Sequence, residues 1–249
     1  MRAARSHDYA HLIERWRALA DQWGWKMEAF AEESGLEIWV IESRVQTGPA
    51  FYFSAGIHGD EPASPEGLFA WAERRAAELS QAAVTIFPCL NPWGLIMNTR
   101  ADRFGRDLNR SYNDLECPQI VRQLAWLGDR RYDLAVMLHE DYDGSGFYLY
   151  ELSDAESWGD QLVAAAAPWV GIESRSEIDG TPQTGGVVTR EVGPELFASL
   201  PKHPEALFLA MRGTARSYTL ETPSEAAIDQ RIEAHGAVLD RLWELLHLA

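Results

Sequence analysis

His58 and Glu61 stand three residues apart in "AGIHGDEPAS", directly after the apolar run "FYFSAGI". A second histidine, His139, closes the apolar run "YDLAVML", and Glu221 closes "ARSYTLE". Two imidazoles and one carboxylate around an open fourth position make a zinc site of the catalytic kind, where bound water becomes a nucleophile near neutral pH. Such a set suits hydrolysis. An HxxE pair on its own also occurs as a polar pair at a helix entry, and a lone histidine is often structural, so spacing alone leaves both readings open.

For these positions to meet, their strands must lie together, and in an open α/β sheet ligands gather at the carboxyl ends of the strands. "YAHLIERWRALADQWG" carries Leu12, Ile13, Trp16, Leu19 and Trp23 at helical spacing, which predicts a first helix over about 8–23. "LEIWVIESRV" and "FYFSAGI" read as strands joined through the turn "QTGPA". "SPEGLFAWAERRAAELS" reads as a helix with Ser64 as N-cap and Pro65 at its first helical position, and "AVTIFPCL" as a strand. Asn91 to Pro118, rich in Asn, Asp, Arg and Gly, reads as a long ordered loop, a feature that in compact domains is often functional. Beyond it come a helix in "PQIVRQLAWLGD", strands in "YDLAVMLHE" and "SGFYLYEL", and a helix in "AESWGDQLVAAAAPWV". "EALFLAMR" and "ARSYTLE" read as the last strands, and a helix over about 224–247, with Ser224 as N-cap, closes the chain. Strands alternating with helices predict an α/β fold, a three-layer α/β/α arrangement with a mixed, mostly parallel central sheet. No repeat or linker marks a second unit, so residues 1–249 are expected to form a single catalytic domain.

Composition narrows the partners. The 249 residues are 46% apolar, enough for a sizeable core, and carry a formal charge of −16. That charge argues against nucleic acid and against an anionic membrane surface. Lys26 and Lys202 are the only lysines, which makes a single arginine a weak signal and a cluster a stronger one. Cys89 and Cys117 lack CxxC spacing and read as reduced thiols. The charged N-terminal stretch lacks the apolar core of an export signal, and no run approaches a membrane span, so a cytoplasmic location is expected.

Taken in order, "HGDE", "NPWG", "NTRADRFGRDLNR", "VMLHE" and "TLETP" resemble the zinc carboxypeptidase superfamily over residues 50 to 225. The resemblance implies a zinc carboxypeptidase-like fold and one zinc per chain, held by His58, Glu61 and His139. It also implies that Arg100 polarises the scissile carbonyl and holds the oxyanion, that Asn109 and Arg110 bind a substrate carboxylate, and that Glu221 is general base and then acid. The physical chemistry suits each role: fixed positive charge for an oxyanion, a guanidinium fork for a carboxylate, and a carboxylate within reach of the attacking water.

Two features depart from the larger digestive members. Those carry a mobile tyrosine upstream of the general base, yet "PELFASLPKHPEALFLA" contains none, and Tyr218 is expected to be an ordinary strand residue. Glu140, beside the ligand histidine, is expected to be a surface carboxylate or else a residue that orients an imidazole. Arg103 and Arg106 read as partners of loop aspartates or as site residues, and Asp107 as a residue that orders its loop. "DYDGSGFYLYE" has the opening oxygens of a calcium loop but Leu152 at the twelfth position, so it reads as a turn between strands. His7, His11, His203, His235 and His247 are expected at the surface, and "SRSEIDGTPQTGGVV" reads equally as a substrate-facing loop or an ordinary surface loop.

The expected activity is zinc-dependent cleavage of an amide bond in a small carboxylate-bearing peptide, as in metallocarboxypeptidases or murein peptide amidases. An alternative is an N-acyl amino acid deacylase similar to aspartoacylase and succinylglutamate desuccinylase, which share "HGDE" and "TR…DLNR". Those enzymes usually carry a further β-rich region, and the helix soon after Glu221 favours the peptidase side. A catalytically silent zinc- or peptide-binding module is the third reading, disfavoured by the presence of Glu221.

Overall fold

The computed structural model of the protein describes residues 5–153 and 155–248; Met1 to Ala4, where the stretch read against an export signal begins, lie outside them. The order is α1 (Tyr9–Trp23), β1 (Lys26–Glu33), β2 (Leu36–Glu42), β3 (Ala50–Ala55), α2 (Ala63–Leu79), β4 (Ala83–Phe87), α3 (Pro92–Met97), α4 (Pro118–Leu127) and β5 (Leu134–Asp141). There follow β6 (Tyr148–Ser153), α5 (Gly159–Val170), β7 (Glu177–Ile178), β8 (Thr181–Pro182), β9 (Val187–Thr189), α6 (Pro194–Ser199), α7 (Glu205–Met211), β10 (Arg216–Pro223) and α8 (Ile228–Leu248).

One eight-stranded sheet runs β1-β2-β4-β3-β5-β10-β6-β9, and β7 and β8 form a separate hairpin. The central β4-β3-β5-β10 block is parallel, as is the β6–β9 pair, whereas β1–β2, β2–β4 and β10–β6 are antiparallel. The period-two alternation of β5 decides which layer each residue meets. Leu134, Val136 and Leu138 join Trp71, Tyr218, Leu220 and Trp243 in the core beneath α1, α2, α5 and α8. Ala135 and Met137 face the other way, into the core with Tyr52, Phe87, Ile120 and Leu209 beneath α4 and α7. This is the expected three-layer α/β/α arrangement, and among the described residues no helix is long and apolar enough to cross a membrane.

Several local expectations are corrected. "EALFLAMR" forms α7, a helix and not a strand, because a short apolar run has no period that separates the two. The β1 strand was not expected; it pairs with β2 across Ser34 and Gly35, both at positive φ (58° and 78°), as a tight hairpin requires. The long segment after Asn91 holds α3, capped by the Asn91 side chain accepting from the Gly94 N–H at 2.9 Å, and a single 3₁₀ turn over Leu108–Arg110. Ser64 does not cap α2, which starts one residue earlier; its hydroxyl donates to the Glu61 carbonyl at 2.8 Å and accepts from the Gly56 N–H. The final helix begins at Ile228, four residues beyond Ser224.

His235 corrects the expectation of a surface residue: it is fully buried on α8, its Nε2 3.2 Å from the Thr222 hydroxyl. Burial, reinforced by the charge of Arg231, pushes its pKa down from 6.5 to about 3. The folded ring therefore stays neutral while an unfolded chain takes up a proton below 6.5, so this contribution is full above that pH and is lost as pH falls towards 3. The stability advantage of wild type over His235→Gln, read from urea unfolding, should shrink by about 2 kcal/mol between pH 7 and pH 5. An unchanged difference would mean that the ring titrates alike in both states.

Candidate metal centre and active site

The site forms where β3, β5 and β10 reach the same edge of the sheet. His58 and Glu61 lie on the turn from β3 into α2, a turn that passes hard against α3. A Cβ on Gly59 would lie 1.9 Å from the Gly94 carbonyl carbon, so only glycine fits between the two backbones. Gly59→Ala should cost about 1–3 kcal/mol of stability and weaken metal binding, because the displaced turn carries two of the donors. Urea unfolding and a zinc titration would test this, and wild-type values for both would show that the turn has slack.

His58, Glu61 and His139 form a buried group whose donor atoms lie within 4.8 Å of one another, the kind of set that can hold a metal ion. His58 Nδ1 lies 2.6 Å from Glu61 Oε1, His139 Nδ1 lies 2.9 Å from Glu61 Oε2, and the two nitrogens are 3.2 Å apart. Burial opposes a charged imidazole at His58, yet Glu61 and Asp107 outweigh it and raise its pKa. Burial likewise opposes ionisation of Glu61, and the two imidazoles reverse it, holding that carboxyl well below the usual range. The trio thus calls for positive charge at its centre, which a proton on His58 or a divalent cation supplies. The chemistry of the donor set, two ring nitrogens and one carboxylate, fits such an ion.

Asp107 completes the support. Its Oδ1 lies 3.2 Å from His58 Nε2, so a proton there leaves the Nδ1 lone pair free to ligate. The same Oδ1 accepts from the Asn109 N–H at 2.9 Å, the loop-ordering role expected of it. Burial raises the Asp107 pKa, but His58 and Arg100 more than compensate and keep the group ionised. Arg100 bonds Asp107 Oδ2 through Nε at 3.1 Å and brings Nη1 to 3.7 Å from Glu61. The imidazole contact joins residues distant in sequence and was not read from it.

Glu221 sits in register between His139 on β5 and Tyr148 on β6. Its surroundings push its pKa well above the carboxylate range: burial first, opposed by His139 and assisted by Glu61 and Asp141. The Tyr148 hydroxyl donates to Asp141 Oδ2 at 3.0 Å, and burial together with Glu221 keeps that phenol protonated. Asn109 Oδ1 accepts from the Glu205 N–H at 2.9 Å, which leaves its NH₂ as a donor. The exposed Arg110 makes a side-chain bond to the Asn109 carbonyl at 2.9 Å.

All the residues singled out in the sequence, His58, Glu61, Arg100, Asn109, Arg110, His139 and Glu221, line one cavity of about 500 Å³. Arg175, Ile178 and Asp179 of the polar "SRSEIDGTPQTGGVV" segment also reach it, as do Tyr148, Tyr150 and Arg190, for which no role was read. Arg103 and Arg106 turn elsewhere, to Ser34 and Asp102. Glu140 is corrected from a surface carboxylate to a buried one. Strand alternation sends it to the face opposite His139, where it accepts from the Ala63 N–H at 2.5 Å and pairs with Arg231.

Carboxypeptidase SOL1 of Arabidopsis thaliana is 30% identical over 131 residues, a stretch covering 43% of this chain and 27% of that protein. This chain therefore matches about a quarter of the length of that relative. A Shewanella amazonensis SB2B structure assigned to the metallopeptidases superposes with a TM-score of 0.84 at 21% identity, over 97% of this chain and 94% of the other. A metallo-carboxypeptidase from Burkholderia cenocepacia gives 0.69 at 13% identity, over 94% of this chain and 68% of its own. At such identities these two show the shared fold. The model of the succinylglutamate desuccinylase/aspartoacylase catalytic domain matches residues 47–173, half of the sequence, and the chain belongs to that family.

Proposed function

We propose that the protein is a zinc-dependent hydrolase of an amide bond in a small, carboxylate-bearing peptide. The observation that carries this reading is Glu221, in register beside His139, lining the same cavity as the His58–Glu61–His139 trio together with Arg100, Asn109 and Arg110. His58, Glu61 and His139 would hold the zinc, which when bound would supply Lewis acidity and lower the pKa of water towards neutrality. The Glu221 carboxylate accepts a proton from the attacking water and returns it to the amide nitrogen as the C–N bond breaks. The positive charge of zinc would offset the burial that pushes the Glu221 pKa up, leaving a carboxylate able to take that proton. The Arg100 guanidinium offers fixed positive charge to the carbonyl oxygen as it gains negative charge. The NH₂ of Asn109 and the fork of Arg110 hold the substrate carboxylate.

Membership of the desuccinylase/aspartoacylase family favours a second substrate with the same chemistry, an N-acylated amino acid. Zinc-reconstituted protein assayed against peptides and against acetyl and succinyl amino acids separates the two. Release of free amino acids from peptides is expected to dominate; preference for the acyl amino acids would reverse the order. Full zinc content with neither activity would leave a binding module.

A further inference from the structure

The catalytic cavity does not end at its own wall. A second concavity of about 840 Å³ shares Asp179, Arg190, Leu196 and Leu200 with it and continues along residues 190–200. One side of this groove is the run Arg190–Gly193, which leaves β9, the edge strand of the sheet. Among the described residues the backbone N–H and C=O of Glu191 and Val192 make no hydrogen bond, although they border a groove open to the site. At the junction Arg190 donates to the Thr181 hydroxyl at 2.9 Å and stacks over Tyr150 at 5.4 Å, with no carboxylate partner among the described residues.

We propose that this groove is an extended-substrate subsite, in which the part of a peptide remote from the scissile bond lies along Arg190–Gly193 and bonds the free backbone groups of Glu191 and Val192. Main-chain pairing along an extended run provides affinity without demanding particular side chains. A substrate no larger than an acylated amino acid fills only the central cavity and gains nothing from the groove. The inference rests on the hydrolase reading and deepens it: the substrate is an oligopeptide that spans both concavities.

A peptide series tests this, running from a dipeptide to a pentapeptide beside an N-acetyl amino acid. Zinc-reconstituted wild type is assayed for kcat/KM, and Kd is measured by calorimetry on the Glu221→Gln protein. Both quantities should improve about tenfold or more with length and then level off once the groove is filled. Val192→Pro, which removes a backbone donor, and Ser199→Trp, which fills the groove from an exposed position, should each abolish the gain from length while leaving the shortest substrate unaffected. Equal kcat/KM and equal Kd at every length, or a length dependence untouched in both variants, would overturn the subsite. Absence of turnover at every length would instead strike the hydrolase reading, and the Kd series would still decide the groove.

Discussion

Glu221→Gln is expected to lower turnover by about 10²- to 10⁴-fold while the protein keeps its full zinc content. The substitution preserves shape and leaves the His58, Glu61 and His139 donors in place, so metal binding has no reason to change. What disappears is the carboxylate that accepts the proton of the attacking water. Stability should also hold or rise, because burial, Glu61 and Asp141 all work against a negative charge at Glu221 and a neutral amide escapes that cost. Parallel measurement of kcat, zinc content and urea unfolding separates these effects. Turnover within about threefold of wild type would remove Glu221 from the proton-transfer role. A collapse of zinc content would show that its effect passes through the metal site.

How far the site was legible in the sequence follows from which signals are local. Strands β3, β5 and β10 declare themselves as apolar runs, and His58, His139 and Glu221 are marked by standing at their ends. By contrast, β1 carries "KMEAFAEE", whose charged residues mask the alternation of a strand exposed at the edge of the sheet. The apolar run of α7 could have been either element, and it is as a helix that it packs against β5 and β10. The insertion of β10 between β5 and β6 puts Glu221 beside both His139 and Tyr148, and no local period encodes it. Glu140 shows the opposite case. Strand alternation alone places it on the face away from His139, so its burial against α2 and α8 was open to inference from the sequence.

His58→Ala and His139→Ala should each abolish stoichiometric zinc, of which wild type is expected to hold about one per chain. Either change leaves two protein donors where a catalytic site needs three. It also leaves Glu61, 1% exposed, with a single imidazole to balance its charge. The consequence reaches stability, since a ligand that binds only the folded state contributes about 2.7 kcal/mol at a hundred times its Kd. Wild type should therefore melt higher with added zinc, and both variants should melt at the same temperature with or without it. Asp107→Asn supplies the graded comparison. It keeps the three donors but weakens the acceptor that fixes His58 Nε2, so zinc affinity should fall by only about 10- to 100-fold. Loss of zinc in the histidine variants with weakened binding in Asp107→Asn would establish both the ligands and the residue that orients one of them. Zinc retained after either histidine is removed would place the metal elsewhere, and none in reconstituted wild type would leave the trio held together by a proton on His58.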